Sequence, residues 1–250
     1  MKGVKFVLTG QTAFFKKPDV NTFLYFSYSQ IHKVALLGIL GSIIGLKGYE
    51  RQKEIYPEYY QHLQDLQVAI IPLAKEGSLP GLCSKKVQVF NNSVGYASKE
   101  AGGNLIVKEQ WLEQPKWEIY LLDNGHPYYT KIKTYLLEQR CEYIPYLGKN
   151  DHFAVIQEVE EIELEGVEGP CLVNSLCPKE KMAVHEVEID FWSEEEDEET
   201  YFKYEEKLPI ALEKEHNQYV MKSFIFTNRP MSCLDEQKLY QAKDKIVYFI

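Results

Sequence analysis

The chain has 250 residues, with 45% hydrophobic and 26% charged side chains, which suits a folded globular protein and excludes a disordered one. Its formal charge of −9 excludes a general, charge-driven nucleic-acid binder, yet that charge is unevenly spread. Residues 1–150 carry 18 Lys+Arg against 13 Asp+Glu, a balance of +5, while residues 151–250 carry 10 against 24, a balance of −14.

In chain order, residues 4–9 alternate as a first strand. The loop that follows, 10–21, carries Lys16, Lys17 and Pro18. Residues 31–48 read as one helix, with Gly38, Gly41, Gly45 and Gly48 on a single stripe at 3.6 residues per turn. Each interior glycine costs about 1 kcal/mol against alanine. That predicts a close approach, with the sheet as the expected neighbour and Gly48 ending the helix. Ser29 is the expected N-cap, because its hydroxyl can accept an orphan backbone N–H. The longest apolar run, 34–46, is too short to span a membrane, which takes ~20 residues.

Residues 49–67 are polar and partly helical, and 68–71 form a short buried strand. Residues 75–115, rich in Gly, Asn, Ser and Lys, read as a long hairpin arm. Its limbs hold Val87, Val89 and Phe90 on one side and Leu105, Ile106 and Val107 on the other, with the turn in 91–104. Residues 117–122 are a strand closed by Asp123-Asn124-Gly125, a strong turn signal. A helix over 127–139 and a strand over 153–164 complete a β-α-β, arm, β-α-β order. That is the ferredoxin-like (RRM-like) pattern in an α+β fold. The expected organisation is a domain over 1–165, with the arm at about 75–115, and a smaller β-rich acidic part over 166–250. In that part a strand alternates around Val187, Ile189 and Phe191, an acidic loop spans 193–199, and strands at 219–226 and 246–250 close the chain.

Chemistry motifs are absent. No GxGxxG, Walker A, GxSxG or HExxH occurs, and the six histidines and five cysteines have no metal-site spacing. The expectation is therefore no cofactor, no metal and no catalytic residue. An odd cysteine count without CxxC fits reduced thiols and a cytoplasmic location. One acid–base set, His32 and Lys33 with Tyr28, leaves metal-free RNA cleavage as an alternative. Binding features read better. A helix N-terminus with Ser29 and Lys33, reinforced by Lys16 and Lys17, suits a phosphate. On the arm, Lys85, Lys86, Lys99 and Lys108 interleave with Phe90, Tyr96 and Trp111, which suits single-stranded RNA. An ordinary exposed hairpin remains the plain reading of the same residues.

Several segments together resemble a known family. VKFVLTGQTAFFKKPDVN from Val4 and SYSQIHKVALLGILGSIIGL from Ser27 resemble the N-terminus of the CRISPR-associated Cas-five proteins, type I-B branch, of the RAMP superfamily. QPKWEIYLLDNG from Gln114, IPYLGKND from Ile144 and EKLPIALEKE from Glu206 are similar to that family's later segments. The resemblance implies a ferredoxin-like domain with a thumb-like arm, and a role in a type I CRISPR surveillance complex (Cascade). Such subunits hold the 5′ handle of the crRNA, contact the backbone and large subunits, and meet target DNA indirectly. Most do no chemistry, whereas the type I-C relative cuts repeat RNA without a metal. Lys33 falls where type I-B relatives often have an arginine, and Ile31-His32 replaces a common Pro-Pro. A protein-interaction scaffold without RNA contact is the third reading.

Overall fold

The computed structural model describes residues 1–19, 23–49, 54–74, 79, 81–91, 95, 99–101, 103–185, 201–234 and 239–250. Tyr96, the strand expected around Val187 and the acidic run 193–199 lie outside the described residues.

The fold is α+β and mainly antiparallel. Its central sheet joins β1 (Lys2–Thr9), β3 (Val68–Pro72), β6 (Lys116–Leu122) and β7 (Val155–Glu163) in the order β3-β6-β1-β7, with every pairing antiparallel. The short strand β2 (Thr12–Ala13) follows β1. Helix α1 (Lys33–Ile44) and helix α2 (Glu58–Leu63) lie between β1 and β3, and α3 (Tyr129–Leu137) lies between β6 and β7. Alternation sorts the strands into two faces. Val4, Phe6, Leu8, Val68, Ile70, Trp117, Ile119 and Leu121 share one core with the apolar side of α1.

The predicted helix is shorter at both ends. It starts at Lys33, and its N-cap is His32, whose Nδ1 accepts from the Ala35 N–H at 3.2 Å. Ser29 stands outside the helix, so the expected hydroxyl cap is not used. Gly45, with φ +86°, closes the helix as a left-handed C-cap, ahead of Gly48. Within the stripe Gly41 marks a close approach, to α2 instead of the sheet, while Gly45 faces Glu142 and Gly48 faces open space. A Cβ on Gly41 would sit 2.6 Å from Tyr59 Cβ, and one on Gly38 would sit 3.8 Å from the same ring.

The arm exists as a hairpin of β4 (Lys85–Asn91) and β5 (Ile106–Glu113), with β2 paired to the base of β5.

The described residues from 165 onward form small antiparallel sheets, two of which pack against the core of the central one. Strands β11 (Lys203–Leu212) and β12 (Tyr219–Thr227), with β9 (Cys177–Pro178), add Leu208, Leu212, Phe224 and Phe226 to the α1 core. β10 (Met182–Val184) pairs with β13 (Met231–Cys233). β8 (Glu165–Val167), β14 (Leu239–Ala242) and β15 (Lys245–Val247) form a third sheet. Ala242, Val247 and Phe249 pack against Ala69, Ile71, Tyr120 and Leu122 on the second face of the central sheet. Instead of the expected strand over 246–250, β15 ends at Val247, and Ile250 exchanges two backbone hydrogen bonds with Val68.

Candidate nucleic-acid interface

The second face of the central sheet is closed to ligands that stack on rings. Sheets that read single strands offer exposed aromatics there, but Tyr120 is only 1% exposed beneath the C-terminal segment. Beside it, Lys5 bridges Glu118 at 2.8 Å and Glu160 at 2.7 Å, and Lys243 reaches Glu160 at 2.6 Å. Its charges are already matched.

The arm and the basic loop present a different surface. The segment around Lys16 and Lys17 folds back on itself: Lys16 bridges Ser27, and the Lys17 N–H donates to Phe26 O at 2.8 Å. Tyr25 docks this loop on β5, its N–H donating to Lys108 O and its carbonyl accepting from the Gln110 N–H, both at 2.9 Å. The Lys16 ammonium sits 3.9 Å above the Tyr25 ring. In the hairpin register Val87 faces Gln110, and Val89 faces Lys108. Lys85, Val87, Val89 and Lys108 therefore line one face of the arm. Both valines and both lysines are exposed there.

At the base of that face a carboxylate gathers the donors. Glu206 of β11 accepts from Lys17 Nζ at 2.8 Å, from the Ser29 N–H at 2.9 Å and from the Tyr204 hydroxyl at 2.6 Å. Lys85 Nζ donates to Ser29 Oγ at 2.8 Å. Partial burial, then the neighbouring Lys17, push the Lys85 ammonium below its usual range, and Glu206 opposes them. Lys17 thus meets this carboxylate directly, and Lys85 is linked to it through Ser29.

The opposite face of the arm is anchored to the body. Glu109, itself buried, accepts from Lys149 Nζ at 3.0 Å and from Trp111 Nε1 at 2.8 Å. The Trp111 ring meets His152 edge to face at 4.6 Å, and His152 Nδ1 lies 2.6 Å from Thr12 Oγ1. Lys86 lies on this face and pairs loosely with Glu113 at 3.5 Å. Lys99 is exposed in the distal arm.

The structure thus brings Lys17, Ser29 and Lys85 together, joins Lys16 and Lys108 through Tyr25, and turns Lys86 to the far side. Lys33 joins none of these. It is only 8% exposed. Burial lowers its ammonium to about 8, against the attraction of Asp65. His32 is 3% exposed among Phe15, Tyr28 and Tyr219, and burial lowers it to about 3, so it is neutral. Its Nδ1 is already used by the helix. The Tyr28 hydroxyl reaches Met221 Sδ at 3.6 Å, and burial, with Tyr219, Asp19 and Glu206 nearby, holds its proton on more tightly than usual.

Sequence reasoning missed Glu206, Lys149, Glu109 and Tyr25. A signal for Glu206 was present. Lys203, Glu205 and Lys207 occupy the exposed phase of β11, whereas Glu206 shares the inward phase with Tyr204 and Leu208. A carboxylate in an inward phase requires partners. Among the described residues no cluster of His, Cys, Asp or Glu is placed to hold a metal, and no helix is long and apolar enough to cross a membrane.

No family model and no curated protein matches the sequence. The fold, by contrast, has solved counterparts. The chain is similar to a CRISPR protein from Archaeoglobus fulgidus, with a TM-score of 0.54 and 9% identity over 99% of this chain and 98% of that one. It is also similar to a chain of a CRISPR RNA-guided surveillance complex, with a TM-score of 0.50 and 12% identity over 91% of each chain. At these identities the likeness establishes the fold.

Proposed function

We propose that this chain is a non-catalytic subunit of a type I CRISPR antiviral ribonucleoprotein, Cascade. In this reading it binds the 5′ handle of the crRNA and helps seat the backbone and large subunits, meeting target DNA only indirectly. The observation that carries the reading is a fold likeness running the length of the chain to a CRISPR protein, and over nine-tenths of it to a chain of an RNA-guided complex. The strand order β3-β6-β1-β7, with a helix in each crossover, supports a ferredoxin-like core of the kind that the sequence resemblance implies.

The RNA path follows from what is open. Because the sheet face is covered, the outer face of the arm takes the guide, with Lys16, Lys85 and Lys108 on phosphates and Val87 and Val89 against bases. Lys17 and Ser29 support Lys85 from behind through Glu206. Lys33 is left out, since its ammonium is buried away from this face. His32, buried and with its Nδ1 taken up as the helix cap, supports the non-catalytic reading.

Binding of a repeat-derived RNA, followed by fluorescence anisotropy across a salt series, tests the reading. The Lys16→Glu/Lys85→Glu/Lys108→Glu variant is expected to bind at least tenfold more weakly, with a shallower salt slope. Unchanged binding would remove the arm from the interface. In parallel, repeat RNA incubated with the protein in EDTA is expected to stay intact. Specific cleavage that is lost in His32→Ala would establish the nuclease alternative.

A further inference from the structure

One short turn braces the arm against the body. Residues 147–152 lie between α3 and β7, and the turn is closed by the His152 N–H donating to Lys149 O at 3.0 Å and the Leu147 N–H donating to His152 O at 2.7 Å. From this turn Lys149 Nζ reaches Glu109 at 3.0 Å, and the His152 ring meets Trp111 edge to face, with centroids 4.6 Å apart. Glu109 and Trp111 are alternate residues of β5, so both contacts fall on one face of the arm. The turn also presses on the body. The Phe14 N–H donates to Leu147 O at 3.0 Å, and a Cβ on Gly148 would overlap Phe14 O. Further down β5, Leu112 is fixed in the core on its own account.

His152 is the unusual member of this brace. Its side chain is 1% exposed. Nδ1 lies 2.6 Å from Thr12 Oγ1, and Nε2 is buried with no hydrogen-bond partner among the described residues. A neutral ring leaves that one nitrogen unpaired in either tautomer. The imidazolium turns Nε2 into a charged donor sealed from water, which is the costlier arrangement. The charged groups around the ring divide. Asp151 on the same turn and Glu109 on β5 attract a positive ring, and Lys149 repels it; burial outweighs the attraction and holds the ring below its usual range. Thr12 and Trp111 carry no charge. Water reaches Nε2 only if the turn lifts away from Thr12 and Trp111. Lys149 then leaves Glu109 as well, because both anchors sit on the one turn.

We propose that His152 is a proton-operated latch: while neutral it docks the turn 147–152 on Thr12 and Trp111, and when charged it lifts the turn off β5 and leaves the arm above Leu112 unbraced. The sign follows from a histidine that is buried neutral. The arm is fully braced above pH 6.5, the ordinary value for the ring, and the brace weakens as pH falls below it. The latch concerns the body's hold on the arm and does not depend on what the arm binds.

Hydrogen exchange of the full chain, corrected for the intrinsic rate at each pH, tests it. Between pH 7 and pH 5.5, exchange at Phe14 and within residues 145–154 is expected to rise severalfold. The ceiling is about tenfold, the ratio of charged to neutral imidazole one pH unit below 6.5 in a released ring. Residues 117–122 of the central sheet should keep their protection. In a Trp192→Phe background, acrylamide quenching of Trp111 should rise over the same interval. His152→Phe cannot charge and should show neither change; His152→Gln, which still offers Thr12 a hydrogen-bonding partner, carries the same expectation where phenylalanine is not accommodated. A rise below twofold in the native chain overturns the latch. So does an equal rise in the uncharged variants, or one shared by residues 117–122, which is general acid unfolding.

Discussion

Lys17 Nζ lies 2.8 Å from Glu206 Oε1, so a residue of the basic N-terminal loop is held by a carboxylate of the acidic C-terminal part. The same carboxylate takes the Ser29 N–H, and Ser29 Oγ takes Lys85. The two oppositely charged parts of the chain therefore meet at the foot of the arm, and the contact lowers the positive charge available to a phosphate.

Glu206→Gln is accordingly expected to have opposite effects on folding and on RNA. Losing a half-buried charged acceptor should cost about 1–2 kcal/mol, which for a chain of this size is a drop of roughly 2–8 °C in Tm. Freeing Lys17 should at the same time tighten RNA binding severalfold at low salt, with about 0.7 added to the magnitude of the salt slope. Anisotropy and thermal melts of the same sample check both, and a variant that binds RNA more weakly would show that Glu206 organises the site instead of competing for it.

Lys33 is a charge that the folded state accommodates poorly. Its ammonium is lowered to about 8 from an ordinary 10.5, so between those values the unfolded chain holds more protons than the folded one. Stability should therefore rise as pH increases from 8 toward 10.5, and the full penalty should be present below 8. Lys33→Met is expected to raise stability at pH 7 by up to about 3 kcal/mol, and to flatten that alkaline rise. RNA affinity should not change. Urea titrations at pH 7 and pH 9.5 measure the first two.

His32 works in the same direction at lower pH. Buried and lowered to about 3, it stays neutral while an unfolded chain takes up a proton near 6.5. Its contribution is present above pH 6.5 and is lost as pH falls toward 3. His32→Asn keeps a side-chain acceptor at the N-cap but removes the titration. The variant should be less stable at pH 7, through lost contact with Phe15, Tyr28 and Tyr219, yet should lose less between pH 6.5 and pH 4.

Gly41 and Gly48 separate the two uses of glycine in the opening helix and its exit. Gly41→Ala would put a methyl 2.6 Å from Tyr59 Cβ, forcing α1 and α2 apart, whereas a Cβ on Gly48 meets open space. Overpacking typically costs about 1–3 kcal/mol, more than the ~1 kcal/mol gained in helix propensity. Gly41→Ala is expected to lower Tm by several degrees, and Gly48→Ala to leave it within a degree or two.

What the sequence by itself determined is local and periodic. Alternation marked β1, a short apolar run marked β3, the turn at Asp123-Asn124-Gly125 closed β6, and residue type placed the arm, because each of these depends on neighbours a few positions away. Glycine spacing announced that something would press on α1. Only the tertiary structure decided what that was, since Tyr59 arrives from a separate helix across a polar stretch with no periodic signature. It also decided the fate of the charges. Ser29 and Lys33 are four residues apart and look equivalent as phosphate ligands, yet one joins a network reaching Glu206, 177 residues away, and the other is buried near Asp65. Which way a side chain points at the mouth of a helix depends on how that helix is rotated against its neighbours, and that rotation is set by packing across the whole core.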